Sequence, residues 1–500
     1  MTNQLTGSRR PRVAVVGAGL SGLGAAAILA RRGCAVDLFE ALPDVGGVAR
    51  SLSKHGLVYS PGPQYAWGWQ EGGPAWRALD EIDLDLSFIE IPDDYEQLAI
   101  KRGAFETVTE SIPSSVYALP AAERRRALAF ARALDAAGRA GEHIGEGARF
   151  RLSEFAMSRA LVTAPVPFQD KITAIQMRGR SVSKLAEQYG ISPATLRLMT
   201  HHQAIFAEKL ETLSALLFAC ARHHLNHSVW FPRGGFGALV SALESACESA
   251  SVKIHTNTEV SAASLSREGL TTLTFGDRSS ATFSHVVWAC SPGMLGKLLE
   301  DEAASNPTLR RLKLGLSERF QPSHPISALD LFVELEPEDI ESVRAKNFSW
   351  FAHHEDIDFS DATERPPETI NFTLPTTFEA PDSRAHVICA FSHAGCPPEL
   401  LERGVLDLLE RVGVRPRVFD RIDLNPRAWS SRFGAFGGSV YGRRMTYSSL
   451  TTPLGDDLPT GWQLAHSGAG IPGILGCLQT SLAVANKISA HAITSSEAAP

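Results

Sequence analysis

Gly17, Gly19 and Gly22 stand in the stretch GAGLSG, directly after the apolar run RVAVV at 12–16. Glycines at that spacing let a chain turn tightly and bring backbone N–H groups against a pyrophosphate at a helix start. Gly17 permits the turn, Gly19 the close approach, and Gly22 the packing of helix on strand. LGAAAILARRG then reads as a helix stopping at Gly33, and CAVDLFE as a second strand ending in Glu40. An acid at that distance suits the ribose hydroxyls. Strand, glycines, helix, strand and acid in this order favour a dinucleotide site over a glycine-rich unit with no ligand.

The next residues narrow the cofactor. ALPDVGGVARS adds a second glycine pair, Gly46-Gly47, with Arg50 just beyond, and GLVYSPGPQY carries Gly62 and Pro63 at the end of a strand. With these residues the chain resembles the flavoprotein superfamily of amine oxidases, protoporphyrinogen oxidase and phytoene desaturases. The resemblance implies FAD, with Gly46, Gly47 and Arg50 wrapping the pyrophosphate from the other side and the Gly-Pro turn lying under the flavin.

A second glycine-rich turn closes the chain. FGGSVYGRR (436–444) and GWQLAHSGAGIPGILGCLQTSLAVANKI (461–488) resemble the closing signature of phytoene-desaturase-like enzymes. That likeness assigns Gly468, Gly470, Ile471 and Pro472 to the flavin end of the cofactor. A helix N-terminus there favours the negative charge of the reduced ring. The resemblance also implies that FPRGGFGALVSALESAC, VKIHTNTEV and HVVWACSP (231–292) return to the cofactor domain, with Val260 ending a strand near the adenine. Ser467-Gly468-Ala469 lacks the acid that amine oxidases carry at this place. Cys477 reads as a packed small residue, not a thiol joined to flavin.

The elements that position these residues make a discontinuous domain. The expected fold is α/β: a Rossmann-type FAD-binding domain from 1–75, 229–300 and 426–492, interrupted by an α+β substrate domain. The insertion has a helical part (76–228) and an antiparallel sheet part (301–425), with a flexible tail at 493–500. AAERRRALAFARALDAAGRA (121–140) reads as an amphipathic helix with its arginines in solvent. ISALDLFVEL, NFSWFAHH, TINFTLP and AHVICAF read as sheet strands.

Composition limits the function. The chain has 500 residues, 44% apolar and 21% charged, and a net charge of -7. That charge argues against nucleic acid, although SVSKLAEQYGISPATLRLM (181–199) imitates a helix-turn-helix. Seven scattered cysteines without CxxC suit reduced thiols in the cytoplasm. The opening MTNQLTGSRRPR has no secretory pattern, and no apolar run is long enough to span a membrane, which leaves peripheral contact. His201-His202 and His223/His227 read as surface or packed histidines, with no metal expected. His353-His354-Glu355-Asp356 reads as a hydrophilic loop.

The expected activity is desaturation or dehydrogenation of an apolar isoprenoid, polyene or lipid-like substrate, with hydride passing to FAD and electrons leaving to oxygen or a quinone. Tyr65 and Tyr441 are the candidate substrate-facing residues. Trp67 and Trp69 line an apolar channel or pack a surface loop. The alternatives are a redox-neutral carotenoid-isomerase-like enzyme, an amine-oxidase- or protoporphyrinogen-oxidase-like oxidase, and a prenyl-lipid chaperone of the same fold.

Overall fold

The structure is a computed structural model. It describes residues 10–497 apart from 74, 85, 92–94, 100–104, 110–111, 142–153, 228, 346–348, 361, 380–382, 453, 456 and 470–472. RVAVV forms the strand Arg12–Val16, buried at its last four residues. It lies between Ala35–Phe39 and His285–Trp288, parallel to both. Lys253–His255 and Trp462–Leu464 complete a five-stranded parallel sheet drawn from three separated stretches of chain. Apolar runs such as RVAVV and HVVW suit a sheet covered on both faces.

One cover is the helix Leu20–Arg31, buried from Leu20 to Leu29. It packs between Gly235–Ser249 and the last helix, Gly473–Glu497. A β-carbon on Gly24 would stand 2.9 Å from Ser481 Oγ, and that hydroxyl donates to the Ser21 carbonyl at 2.8 Å. The last helix runs on to Glu497, through residues expected to be a flexible tail; 498–500 lie outside the described residues. VKIHTNTEV also differs from the single strand expected. It breaks at Asn257, whose φ is 49°, so Lys253–His255 stays in the parallel sheet. Val260 instead opens a separate three-stranded antiparallel sheet.

The second large sheet has eight strands, in the order Arg417–Leu424, Ile326–Glu334, Ala385–His393, Thr369–Thr373, Ser349–His353, Glu96–Ala99, Phe105–Thr109, Ile112–Pro113. Its last three strands come from the segment expected to be helical. Glu96–Ala99 runs parallel to Ser349–His353, so the sheet is mixed. These strands are four, five and two residues long, too short for an alternation to declare itself, which hides them from a reading by periodicity.

The helices between Ser115 and His227 form their own core around Phe130, Leu134, Phe206 and Phe218. Here the helix-turn-helix imitation resolves into Val182–Tyr189 and Pro193–Met199, joined through Gly190 at φ 65°. Leu185, Ala186 and Met199 are buried in that core, so the pair is a packing unit. No helix among the described residues is long and apolar enough to cross a membrane.

Candidate active site

The glycine turn at 17–22 folds as its spacing requires. Gly17 has φ 103° and donates its N–H to the Phe39 carbonyl at 2.8 Å. A β-carbon on Gly22 would lie 1.8 Å from the Gly17 oxygen. A β-carbon on Gly19 would meet nothing within 4 Å, because that face opens into a cavity. The second glycine pair lies alongside: Gly46 donates to the Ala18 carbonyl at 2.7 Å, and Gly46 and Gly47 have φ 106° and 56°. No acid stands in the first turn of the helix that follows Gly19, and its positive end faces the cavity.

That cavity has a volume of about 800 Å³. Gly17, Gly19, Glu40, Gly46, Gly47, Gly62, Pro63, Tyr65, Val260 and Tyr441 all line it. So do His466, Ser467, Gly473 and Ile474, which puts the two glycine turns, from opposite ends of the chain, around one space. Gly62 lets the chain approach Val48; a β-carbon there would stand 2.2 Å from the Val48 carbonyl oxygen. Gly470, Ile471 and Pro472 lie outside the described residues.

Three expected residues sit elsewhere. Gly22 packs against Gly17 beneath the turn. Arg50 turns away from the cavity lining to Asp44, at 3.2 Å, and to the Arg432 carbonyl, with its guanidinium over the Phe433 ring. Gly468 donates its N–H to His466 Nδ1 at 2.8 Å. The Glu40 carboxylate accepts from the Ala18 N–H at 2.7 Å and the Leu42 N–H at 3.0 Å, so it also braces the turn.

Sequence reasoning missed His466. Burial pushes its imidazole down to about 4. Because Nδ1 accepts from Gly468, the neutral ring keeps its proton on Nε2 and is a donor. Burial raises the Cys477 thiol, which keeps it protonated and unreactive. Trp67 lines the cavity, whereas Trp69 is buried edge-on to Phe88 and Phe236, so neither packs a surface loop.

The charges divide the cavity into two ends. Its charged lining residues, among the described residues, are Glu40, Glu259 and Lys297, all from the parallel-sheet segments. The end facing the mixed sheet is lined by Tyr65, Asn371, Phe391, Tyr441, Ile205 and Ile326. Asn371 is held by donating to Ser349 Oγ and the Trp350 carbonyl, both at 3.1 Å. Gln64 accepts from Thr373 Oγ1 at 2.7 Å. This end is aromatic, aliphatic and amide-lined, with no ionised carboxylate.

An open glycine face, a helix N-terminus turned into the cavity and a volume within the ~300–1,000 Å³ of small-molecule sites fit an extended dinucleotide. The family described as flavin containing amine oxidoreductase matches residues 20–472. The chain belongs to that family. Its cofactor is FAD, and it is an FAD-dependent oxidoreductase by class. It is 55% identical to protoporphyrinogen oxidase 2 of Arabidopsis thaliana over 51 residues, 10% of either chain. It is 36% identical to human all-trans-retinol 13,14-reductase over 97 residues, 19% of this chain and 16% of that one. The matches thus span only a small part of these curated relatives. The fold is similar to that of putrescine oxidase bound to putrescine, with TM-score 0.66 and 16% identity over 96% of this chain and 99% of that one.

Proposed function

We propose that this chain dehydrogenates a neutral, largely apolar substrate in the manner of phytoene desaturases, with an isoprenoid or polyene as the substrate class. The observation that carries this reading is the substrate end, which offers aromatic and aliphatic surface and two amides but no carboxylate. A cationic amine buried there would meet no carboxylate among the described lining residues of that end, which is costly, whereas apolar area gains ~25 cal/mol per Å² on burial. The relatives named for protoporphyrinogen and retinol chemistry agree with it.

In this reading Gly17, Gly19, Gly46 and Gly47 admit the pyrophosphate, and Glu40 takes the ribose hydroxyls without leaving the turn. Val260 packs at the adenine, and Gly62 and Pro63 lie beneath the ring. Ser467 and the helix start at Gly473 face its far end, and Gly468 acts by fixing the His466 ring. Arg50 acts by holding the Gly46-Gly47 loop to the segment at 432–433. FAD, when bound, would supply the acceptor for a hydride taken from substrate carbon, and a base or water takes the proton released as the double bond forms. Tyr65 and Tyr441 orient the substrate from the mixed-sheet side, and His466 donates from Nε2. Segments 1–75, 229–300 and 426–492 form the cofactor domain and 76–228 with 301–425 the substrate domain. Electrons leave to oxygen or a quinone, and the site is reached from the cytoplasm or from a membrane surface.

Anaerobic mixing of purified enzyme with polyenes, isoprenoids, porphyrinogens and amines tests this. Bleaching of the flavin by neutral apolar compounds is expected. Bleaching by amines alone overturns the proposal in favour of an amine oxidase. Product isomerised at unchanged mass overturns dehydrogenation in favour of isomerisation.

A further inference from the structure

A buried polar cluster lies beside the substrate end, outside the cavity lining. Glu96 opens the strand Glu96–Ala99, and His201 and His202 lie in the turn between the helices Pro193–Met199 and Gln203–Phe206. Their exposures are 3%, 1% and 0%. Glu96 Oε1 lies 2.5 Å from His202 Nε2, and Glu96 Oε2 lies 3.1 Å from His201 Nε2. The two imidazole rings are 4.0 Å apart at their centroids. One donor atom from each residue falls within 4.8 Å of the others.

The proton count at His201 is informative. Its Nδ1 lies 3.2 Å from the Leu198 carbonyl oxygen, which can only accept, so Nδ1 carries the hydrogen. The Nε2 of the same ring faces a carboxylate oxygen, so either a second proton or a metal cation lies between them. An imidazole whose Nδ1–H is anchored on a backbone carbonyl while Nε2 faces other donors is oriented as metal-bound histidines are. The Tyr95 hydroxyl is buried next to the carboxylate and offers a further oxygen donor.

We propose that Glu96, His201 and His202 bind a divalent transition metal of the zinc class. Two imidazoles and a carboxylate are a ligand set that zinc accepts. Bonds of ~2.0–2.2 Å put tetrahedral ligand atoms roughly 3.4 Å apart, so the present contacts need to open by less than about 1 Å. The ion clamps a strand of the mixed sheet to the helical turn. The backbone N–H of Ile205, a cavity-lining residue, is tied to that turn through the His202 carbonyl at 2.9 Å. The role is structural, it sits outside the cavity, and it does not depend on the flavin reading.

The test uses the FAD-loaded full chain, stripped with dipicolinate and titrated with Co²⁺ and then Zn²⁺. A single Co²⁺ per chain is expected, with visible ligand-field bands that Zn²⁺ abolishes and a thermal midpoint raised by either ion. Glu96→Gln and His202→Asn should each weaken binding by about tenfold or more while FAD content stays unchanged. The paired substitution His223→Asn/His227→Asn should leave the stoichiometry intact. If the cluster variants fail to fold, zinc K-edge absorption of the wild type still decides through its imidazole shells. Substoichiometric binding, loss of the ion with His223 and His227, or a spectrum without imidazole overturns the proposal.

Discussion

Gly22 lies so close to Gly17 that a β-carbon on the former would stand 1.8 Å from the carbonyl oxygen of the latter. Two glycines of the same motif therefore fail differently when replaced. Gly22→Ala should break the turn itself, giving insoluble or thermally destabilised protein. Gly19→Val meets open space, so it should fold with the wild-type circular dichroism spectrum yet purify colourless. A yellow Gly19→Val protein with undiminished FAD content would separate the cofactor from this turn.

Glu40 supports the same turn through two backbone N–H groups. Glu40→Gln keeps one acceptor and loses the charge, so FAD should bind more weakly by about 1–3 kcal/mol, the scale of a charged hydrogen bond. Equilibrium dialysis against FAD measures it, and Glu40→Asp should recover little because it withdraws the carboxylate by one methylene.

Arg444 joins the cofactor segment to the helical segment by two hydrogen bonds to Glu208, at 3.0 and 2.7 Å. The Glu208 side chain is 1% exposed. Burial alone would raise its carboxyl, but the Arg444 bonds hold it below its ordinary value. Arg444→Met should cost roughly 2–4 kcal/mol in denaturant unfolding, because it leaves a buried carboxylate with little compensation. Adding Glu208→Gln should restore part of that loss.

Asp330 gives the stability a pH dependence. It is fully buried and accepts a hydrogen bond from the Tyr59 hydroxyl at 2.8 Å. Burial lifts its carboxyl from 3.8 to about 7. The folded chain keeps a proton that the unfolded chain releases across that interval. Its contribution is therefore fully present below 3.8 and lost as pH rises through about 7. Denaturation midpoints should fall between about pH 5 and pH 8, and Asp330→Asn should flatten that part of the profile.

The cofactor half of the molecule was legible because its signals are local. Gly17, Gly19, Gly22 and Glu40 encode a turn whose geometry depends on few neighbours, and the strand and helix patterns around them are strong. The second glycine turn was legible too, through Gly473 and the apolar helix behind it. The mixed sheet was half hidden. Glu96–Ala99 is a strand only because Ser349–His353 lies beside it, and no local pattern announces a partner so far along the chain. His201 and His202 were read as ordinary packed or surface groups because Glu96, the residue that gives them meaning, is brought to them by the same distant pairing. Arg50 was placed on a phosphate by resemblance, whereas Asp44 and the Arg432 carbonyl hold it in the structure.

The central position of Arg12–Val16 has a consequence for synthesis. Its neighbour His285–Trp288 is translated much later, and the edge strand Trp462–Leu464 later still. At roughly 5–20 residues per second, the first strand waits on the order of 20 to 90 seconds for its sheet to close. During that time its apolar face has no native cover on one side, and a nascent chain has no complete pocket to load. Cofactor capture therefore waits until the lining residues up to Cys477 have been made, and a chain stopped before them is a client for chaperones.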